Sequence, residues 1–216
     1  MKILLVNNYT IHLDELKEML SEEDVTTVNT EDLTLEMSKK FDAVVISGGS
    51  KYEVSQNPEA FAEQFKIIKS GKPVFGVCLG FQAVCHAFGE KVEKLDEEIE
   101  RIDEVEKIKE DKMLKGLPKK FKASEAHSWG VKEINGELIV LAKSKQCIEM
   151  VKHPKLPVYA TQFHPEVRPE LDGSKVLKNF LKEIKQGDIY SSLVRGLEDI
   201  KAGRVKLWKK SKKFAE

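Results

Sequence analysis

Short apolar runs that end in asparagine or glycine constrain the fold of this chain more than any other feature. Lys2 to Val6, Phe41 to Ile46 and Pro73 to Val77 are rich in branched aliphatic residues. Such runs are typical of strands that are buried on both faces, as the strands of a parallel sheet are. They predict a parallel sheet whose strands end in polar or glycine-rich turns.

Segments with helical spacing separate these runs. Helices are predicted at residues 13–20, 33–39, 58–69, 82–88 and 174–184, and further strands at 25–28, 138–142, 148–151 and 158–161. Residues 91–109 are charged with loosely alternating apolar residues, which favours exposed antiparallel strands. The whole pattern predicts an α/β fold: a doubly wound, mostly parallel sheet flanked by helices, with a small antiparallel sheet and ligands at the carboxyl ends of the parallel strands.

Composition excludes several classes of protein. The 216 residues include 36 basic and 36 acidic side chains, so net charge favours neither nucleic acid nor a membrane as a partner. No run approaches the roughly 20 apolar residues of a membrane span. The three cysteines have no paired spacing, which argues against a disulfide framework and a zinc site. We expect a cytoplasmic protein without a metal or cofactor.

The chain is expected to divide unequally. Residues 1–186 are predicted to form one domain and residues 187–216 a helical, basic C-terminal extension, because apolar residues from Tyr190 to Ile200 have helical spacing and lysines follow them. A solvated helix end is the simplest interpretation of this extension. Docking onto a partner subunit is the alternative.

The first chemical motif is Gly76-Val77-Cys78-Leu79-Gly80, between a predicted buried strand and a predicted helix. A nucleophile between small residues at such a turn is typical of a strand-turn-helix elbow, which exposes the nucleophile above the sheet. The positive end of the helix would favour a thiolate at Cys78. Taken alone, the pentapeptide is equally compatible with a structural cysteine in a turn.

The second motif is Gln162-Phe163-His164-Pro165-Glu166, which follows the predicted strand at 158–161. It can deliver an imidazole and a carboxylate to the sheet edge that carries Cys78. His164 could take the thiol proton, and Glu166 could orient the ring and stabilise its charge. A surface turn is the alternative for this motif alone.

Together the two motifs resemble the signatures of class I glutamine amidotransferases, commonly G-x-C-x-G-x-Q and F-H-P-E. The resemblance covers most of residues 1–185 and implies a flavodoxin-like fold that hydrolyses L-glutamine without a cofactor. It implies that Cys78 forms a glutamyl thioester, that His164 acts first as base and then as acid, and that Glu166 orients His164.

The same resemblance implies roles for residues around the nucleophile. The backbone N–H groups of Gly49 and Leu79 are the expected oxyanion-hole donors. Gln82 matches a family glutamine that helps to hold the substrate. Ser128 and Trp129 lie where relatives bind the α-groups of glutamine.

The chain departs from the family pattern at three places. Phe81 stands where histidine is common, Ser50 stands where proline is common, and residues 6–9 read VNNY where an aspartate usually begins the motif. Phe81 replaces a polar neighbour of the nucleophile with an apolar ring, so glutaminase activity or its coupling to a synthase is expected to differ. The remaining histidines (His12, His86, His127 and His153) receive no catalytic role, and Cys85 and Cys147 are predicted core thiols.

Residues 147–153 and 157–162 are similar to the separate glutaminase subunit of archaeal-type GMP synthases. That resemblance implies a partner chain, an ATP pyrophosphatase that aminates XMP, because nothing in this sequence resembles such a domain. The departures and the C-terminal extension favour instead a paralogue that serves another acceptor. A stand-alone γ-glutamyl hydrolase and a non-catalytic binding or regulatory paralogue are further alternatives, and the intact Cys78, His164 and Glu166 argue against the last.

Overall fold

The computed structural model describes residues 1–187, so the predicted C-terminal extension lies outside the described residues except for its first residue. The strands are β1 (Lys2–Asn7), β2 (Asp24–Asn29), β3 (Ala43–Ile46), β4 (Val74–Val77), β5 (Glu93–Lys107), β6 (Lys120–Gly130), β7 (Ile139–Lys143), β8 (Ile148–Lys152) and β9 (Val158–Thr161). The α-helices are α1 (Leu13–Met19), α2 (Leu35–Ser38), α3 (Ala62–Ile68), α4 (Leu79–Ala87) and α5 (Lys175–Lys185).

Within residues 1–187 these strands form one nine-stranded sheet in the order β2-β1-β3-β4-β9-β8-β7-β5-β6. The first five strands in this order are parallel, and each later pair is antiparallel. The doubly wound parallel arrangement is therefore confirmed. The antiparallel strands continue the parallel strands in the same sheet.

Two hydrophobic layers hold helices on opposite faces of the parallel strands. Ile3 and Leu5 face α1 and α5, whereas Leu4 and Val6 face α3 and α4, because successive side chains of a strand point to opposite faces. Phe180 of α5 packs its ring 5.2 Å from that of Phe75 in β4. Burial on both faces explains why these strands are continuous apolar runs.

The antiparallel half differs most from the sequence prediction. Residues 91–109 contain a single strand of 15 residues, β5, and the 11-residue β6 beside it was not predicted. Two of the inward positions of β6 hold Glu125 and His127, so the apolar alternation that identifies a strand is interrupted. None of the helices within residues 1–187 is long and apolar enough to cross a membrane.

Candidate active site

Cys78 lies at a sharp turn between β4 and α4. Its backbone has φ 50° and ψ −103°, a conformation that non-glycine residues rarely adopt. Its N–H group donates to Thr161 O at 2.8 Å, and its carbonyl accepts from Gln82 N at 3.0 Å. The strained turn is thus fixed on both sides and places Cys78 at the N-terminus of a nine-residue helix, where the helix dipole favours a thiolate.

The two glycines around Cys78 are required by close backbone contacts. A Cβ atom at Gly76 would lie 2.5 Å from the carbonyl oxygen of Gly80, and one at Gly80 would lie 2.4 Å from that of Ile46. Both distances are well inside van der Waals contact. The strand and the helix can therefore approach closely enough to form the turn only if both positions are glycine.

His164 reaches the same edge because β9 lies beside β4 with Thr161 in register with Val77. His164 N donates to Ser124 O at 2.9 Å, which fixes the backbone beyond β9 against β6. The ring atom Nδ1 lies 2.8 Å from Glu166 Oε1, and both side chains are buried. The Nε2 atom is buried without a hydrogen-bond partner among residues 1–187.

The three predicted triad residues come together in the structure. A Cβ atom added at Gly48 would lie 3.0 Å from Cε1 of His164 and 3.4 Å from Cβ of Cys78, so both side chains flank one point. Burial by itself lowers the pKa of His164, but the negative charges of Cys78 and Glu166 outweigh this effect and raise that pKa well above its ordinary value. The surroundings of His164 therefore favour the protonated form of its ring.

The Ser47-Gly48-Gly49 turn is held in place by Asn8. Asn8 N donates to Ser47 Oγ at 2.9 Å, and Asn8 Nδ2 donates to Ser47 O at 3.0 Å. The side-chain oxygen of Asn8 accepts from Gln64 Nε2 at 2.7 Å and from Thr30 Oγ1. A Cβ atom at Gly49 would lie 1.9 Å from Asn8 O, so no side chain fits there.

The backbone N–H groups of Gly49 and Leu79 make no hydrogen bond with another residue of the described part of the chain. Leu79 is the first residue of α4, where an N–H group has no partner in the helix. Both residues line the cavity beside Cys78. They are thus two free donors next to the nucleophile, which is the arrangement that an oxyanion hole requires.

The cavity beside Cys78 has a volume of about 330 Å³. It contains all of the predicted binding residues: Gly49, Leu79, Gln82, Ser128 and Trp129 line it together with Cys78. His164 and Glu166 are not part of its wall. A larger cavity of about 660 Å³ lies between α1 and α5 and does not contact Cys78, so the smaller cavity is the candidate site.

Two glutamines link the nucleophile to Trp129 of the cavity wall through hydrogen bonds. Gln82 Nε2 donates to Trp129 O at 3.0 Å and to Gln162 Oε1 at 3.3 Å. Gln162, which is fully buried, donates through Nε2 to Cys78 Sγ at 3.6 Å. Nothing in the sequence marked Gln162 as functional beyond its place in the histidine motif. Gln82 orders the backbone at Trp129.

A family model described as Glutamine amidotransferase class-I matches residues 4–184. The chain belongs to the class I glutamine amidotransferase family. It is therefore a glutamine-hydrolysing enzyme, and the predicted family and fold are confirmed.

Relatives in this family share a large part of the chain. One subunit of the glutamine-hydrolysing GMP synthase of Pyrococcus abyssi is 39% identical over 140 residues, 64% of this chain and 73% of that protein. The protein of the same name from Methanothermobacter thermautotrophicus is 31% identical over 182 residues, 82% of this chain and 95% of that protein. The similarity thus extends over nearly the whole length of the second relative.

Solved structures support the fold. A Thermoplasma acidophilum protein superposes with a TM-score of 0.79 at 24% identity, covering 88% of this chain and 97% of that one. A glutamine amidotransferase from Thermotoga maritima superposes with a TM-score of 0.67 at 19% identity, covering 90% of this chain and 96% of that one.

The departures of this amidotransferase from the family pattern lie in two environments. Phe81 is fully buried in the core between α4 and the sheet and does not line the cavity, so its ring is not a wall of the candidate site. Ser50 lines the cavity and is exposed.

His12 packs its ring edge-on against His164 at 5.3 Å, a contact that the sequence did not predict.

Proposed function

We propose that this amidotransferase hydrolyses L-glutamine through Cys78, His164 and Glu166 and passes the ammonia to a separate synthase subunit. The observation that carries the catalytic roles is the strained turn that presents Cys78 at a helix N-terminus next to the His164 and Glu166 pair, 2.8 Å apart. The cytoplasm is the proposed location, because all three cysteines are free thiols and a reducing compartment keeps thiols in that state.

In the proposed mechanism, the thiolate of Cys78 attacks the side-chain carbonyl carbon of glutamine. The negative oxygen of the tetrahedral intermediate accepts hydrogen bonds from Gly49 N and Leu79 N. The imidazolium of His164 gives its proton to the amide nitrogen, the C–N bond breaks, and ammonia leaves a glutamyl thioester.

Water then attacks the thioester. His164, now neutral, accepts a proton from the water as the C–O bond forms, and the C–S bond breaks to release glutamate. The Cys78 thiolate and the His164 imidazolium are thereby restored. Glu166 stabilises the imidazolium and holds its ring in one orientation throughout both steps.

Substrate recognition is proposed to use the outer part of the cavity. Ser128 and Trp129 of β6 present backbone and side-chain groups to the α-carboxylate, and Gln82 holds this segment in place. Glu53 also lines the cavity, and its Oε2 atom is buried without a partner among residues 1–187. We assign this half-buried carboxylate to the α-ammonium group of glutamine, because a carboxylate oxygen without a partner is complementary to a cation.

The proposed partner is the ATP pyrophosphatase subunit of GMP synthase, which aminates XMP. The proposal rests on the relatives from Pyrococcus abyssi and Methanothermobacter thermautotrophicus, both of which are named as one subunit of a glutamine-hydrolysing GMP synthase.

The test measures glutamate release and GMP formation by the purified chain mixed with such a pyrophosphatase, XMP and MgATP. We expect the complete mixture to accelerate glutamate release and to form GMP in equal amount. Cys78→Ser should abolish GMP formation from glutamine but preserve its formation from ammonium salts. Glutamate release that ignores the partner would reject the GMP synthase assignment and keep the glutaminase.

A further inference from the structure

Four buried polar side chains form a cluster that the proposed mechanism does not use. Glu125 and His127 belong to β6, Glu149 belongs to β8, and Cys147 immediately precedes β8. Their exposed fractions are only 1–7%. Residues two apart in extended chain face the same side, so each segment directs two of these side chains into one space.

The donor atoms of this cluster lie within reach of one ion. A ring nitrogen of His127, the sulfur of Cys147 and a carboxylate oxygen of Glu149 all lie within 4.8 Å of one another. Cys147 Sγ is 3.3 Å from Glu149 Oε1, and His127 Nε2 is 3.2 Å from Glu125 Oε2. Three of the four side chains thus lie within reach of one centre, and Glu125 lies beside the His127 ring.

Several of these atoms lack a hydrogen-bond partner in the described part of the chain. They are both carboxylate oxygens of Glu125, Oε2 of Glu149 and Nε2 of His127. Each belongs to a side chain that is more than nine-tenths buried. Leaving such groups unpaired costs free energy, which a cation bound among them would offset.

The ring orientation of His127 points to a metal ion. His127 Nδ1 lies 2.9 Å from Trp129 O, and because a carbonyl only accepts, Nδ1 carries the proton of the neutral ring. Nε2 then carries the free lone pair of the ring and lies 3.2 Å from Glu125 Oε2. A histidine that donates one ring N–H group to a backbone carbonyl and presents the other nitrogen to the centre is the usual metal-binding arrangement.

We propose that His127, Cys147, Glu149 and Glu125 bind one zinc ion. One thiolate, one imidazole and carboxylate oxygens suit Zn²⁺, which takes four such ligands in closed sites. Binding removes the proton of the Cys147 thiol and any proton held by the two carboxyl groups, and these protons pass to solvent. The three negative ligand charges offset the two positive charges of the ion and leave one net negative charge at the site.

The spacing of the cysteines predicted no zinc site, because that argument considers only pairs of cysteines near one another in sequence. Here the ligands come in two pairs, from residues 125–127 and 147–149, and folding brings them together. In the metal-free protein, burial raises the pKa of Glu125 to about 8 and that of Glu149 well above its ordinary value, so protons compete with the metal.

The site would act on the glutamine cavity through β6. Trp129 O, which accepts from His127, also accepts from Gln82 at 3.0 Å. The carbonyl of Ala126, between two proposed ligands, lies 3.7 Å from Cys78 Sγ. The proposed zinc ion thus fixes the cavity wall and is a positioning element. It does not touch the proposed substrate.

The test uses full-length Cys78→Ser protein, since the Cys78 thiol beside His164 could itself bind metal. Chelator-treated protein is titrated with Zn²⁺ against a chromophoric chelator, and separately with Co²⁺. We expect one equivalent of each, with a thiolate-to-cobalt charge-transfer band and the strong ligand-field bands of a tetrahedral site.

Cys147→Ala in that background should abolish the charge-transfer band and weaken Zn²⁺ binding by more than about 100-fold. Cys85→Ala is the matched control, because Cys85 is also a fully buried thiol but lies in the core on α4. It should keep both signals. Zn²⁺ should raise the melting temperature of the control and not that of Cys147→Ala.

Glu149→Gln provides a second variant of nearly the same shape if Cys147→Ala does not fold, and it should also weaken Zn²⁺ binding. The absence of stoichiometric binding to the Cys78→Ser protein would overturn the proposal. Binding that neither variant weakens would place the metal elsewhere and overturn it equally. The result is independent of glutaminase activity, because Cys78 is already replaced.

Discussion

The contribution of the Glu166 charge to catalysis can be measured separately from that of its hydrogen bond by one substitution. In Glu166→Gln the side chain keeps an oxygen that can accept the Nδ1–H group of His164, now 2.8 Å from Glu166 Oε1, so the hydrogen bond can persist while the charge is lost. Both side chains are almost fully buried, at 5% and 0% exposure. The effect is therefore not reduced by solvent screening.

The size of the effect lies between two limits. Replacing a charge-assisted hydrogen bond by a neutral one costs about 1.5 kcal/mol. The full attraction of two unit charges about 4 Å apart is about 4 kcal/mol at an effective dielectric constant of about 20. Because about 1.4 kcal/mol of barrier is a tenfold change in rate, kcat/KM should fall between about tenfold and about a thousandfold.

The pH profile adds a second readout. The anions of Cys78 and Glu166 raise the pKa of His164 despite its burial, so removal of the Glu166 charge lowers that pKa. The imidazolium form, which protonates the leaving ammonia, is then lost at lower pH. The alkaline limb of kcat/KM for glutamate release should therefore move to lower pH.

The matched control is Glu170→Gln, an exposed carboxylate four residues further along the chain. It should match the parent enzyme in both rate and pH profile, and circular dichroism should show that both variants are folded. If Glu166→Gln also stays within twofold of the parent and keeps the same alkaline limb, the role assigned to Glu166 is wrong.

Four further results are expected. Cys78→Ser should lower the glutamate release rate by more than about 1,000-fold at unchanged melting temperature; a rate near that of the parent would exclude Cys78 as the nucleophile. Gly49→Ala should lower kcat by about 100-fold or more, since its Cβ would lie 1.9 Å from Asn8 O and the donor must move; full activity would contradict the assigned donor. Glu53→Gln should raise KM for glutamine by about tenfold or more with little change in kcat, and an unchanged KM would place the α-ammonium elsewhere. Hydrogen bonds from Lys185 and the N-terminus outweigh burial and lower the pKa of Glu23, so its stabilisation is present above the ordinary pKa and lost as pH falls; Glu23→Gln should lower the melting temperature near neutral pH and not in acid, and an equal loss at both would refute this.

The elements that were predicted well from sequence are those whose sequence pattern lies within a few consecutive residues. β1, β3 and β4 are apolar runs of a few residues, and the elbow at Cys78 needs only a short stretch of small residues around one thiol. The order of the two motifs was enough to place Cys78 and His164 at one sheet edge, because parallel strands end on the same side.

The elements that sequence did not predict depend on contacts between distant segments. β6 was missed because Glu125 and His127 occupy inward positions that a hydrophobic pattern assigns to apolar residues. The support of the Gly49 turn by Asn8 joins residues 39 positions apart, Asn8 and Ser47. The sequence marked this segment only as a departure from the family pattern.

Phe81 is a residue whose surroundings were predicted wrongly from its place in a local motif. Its position in the motif, three residues after Cys78, predicted an apolar ring that alters the surroundings of the nucleophile. The residue lies on the face of α4 that packs into the core, so helix geometry turns its ring away from the cavity. Proximity in sequence was a poor guide here because successive residues of a helix face different directions.

The central claim is that Cys78 forms a covalent bond with the substrate. The most direct measurement treats the parent enzyme with a glutamine analogue that carries an electrophilic carbon in place of the side-chain amide, and maps the modified peptide by mass spectrometry. We predict one equivalent of label on Cys78, loss of glutaminase activity in parallel with labelling, and protection by glutamine. Label on Cys85 or Cys147 instead, or glutamine hydrolysis that persists after Cys78 is fully labelled, would contradict the account.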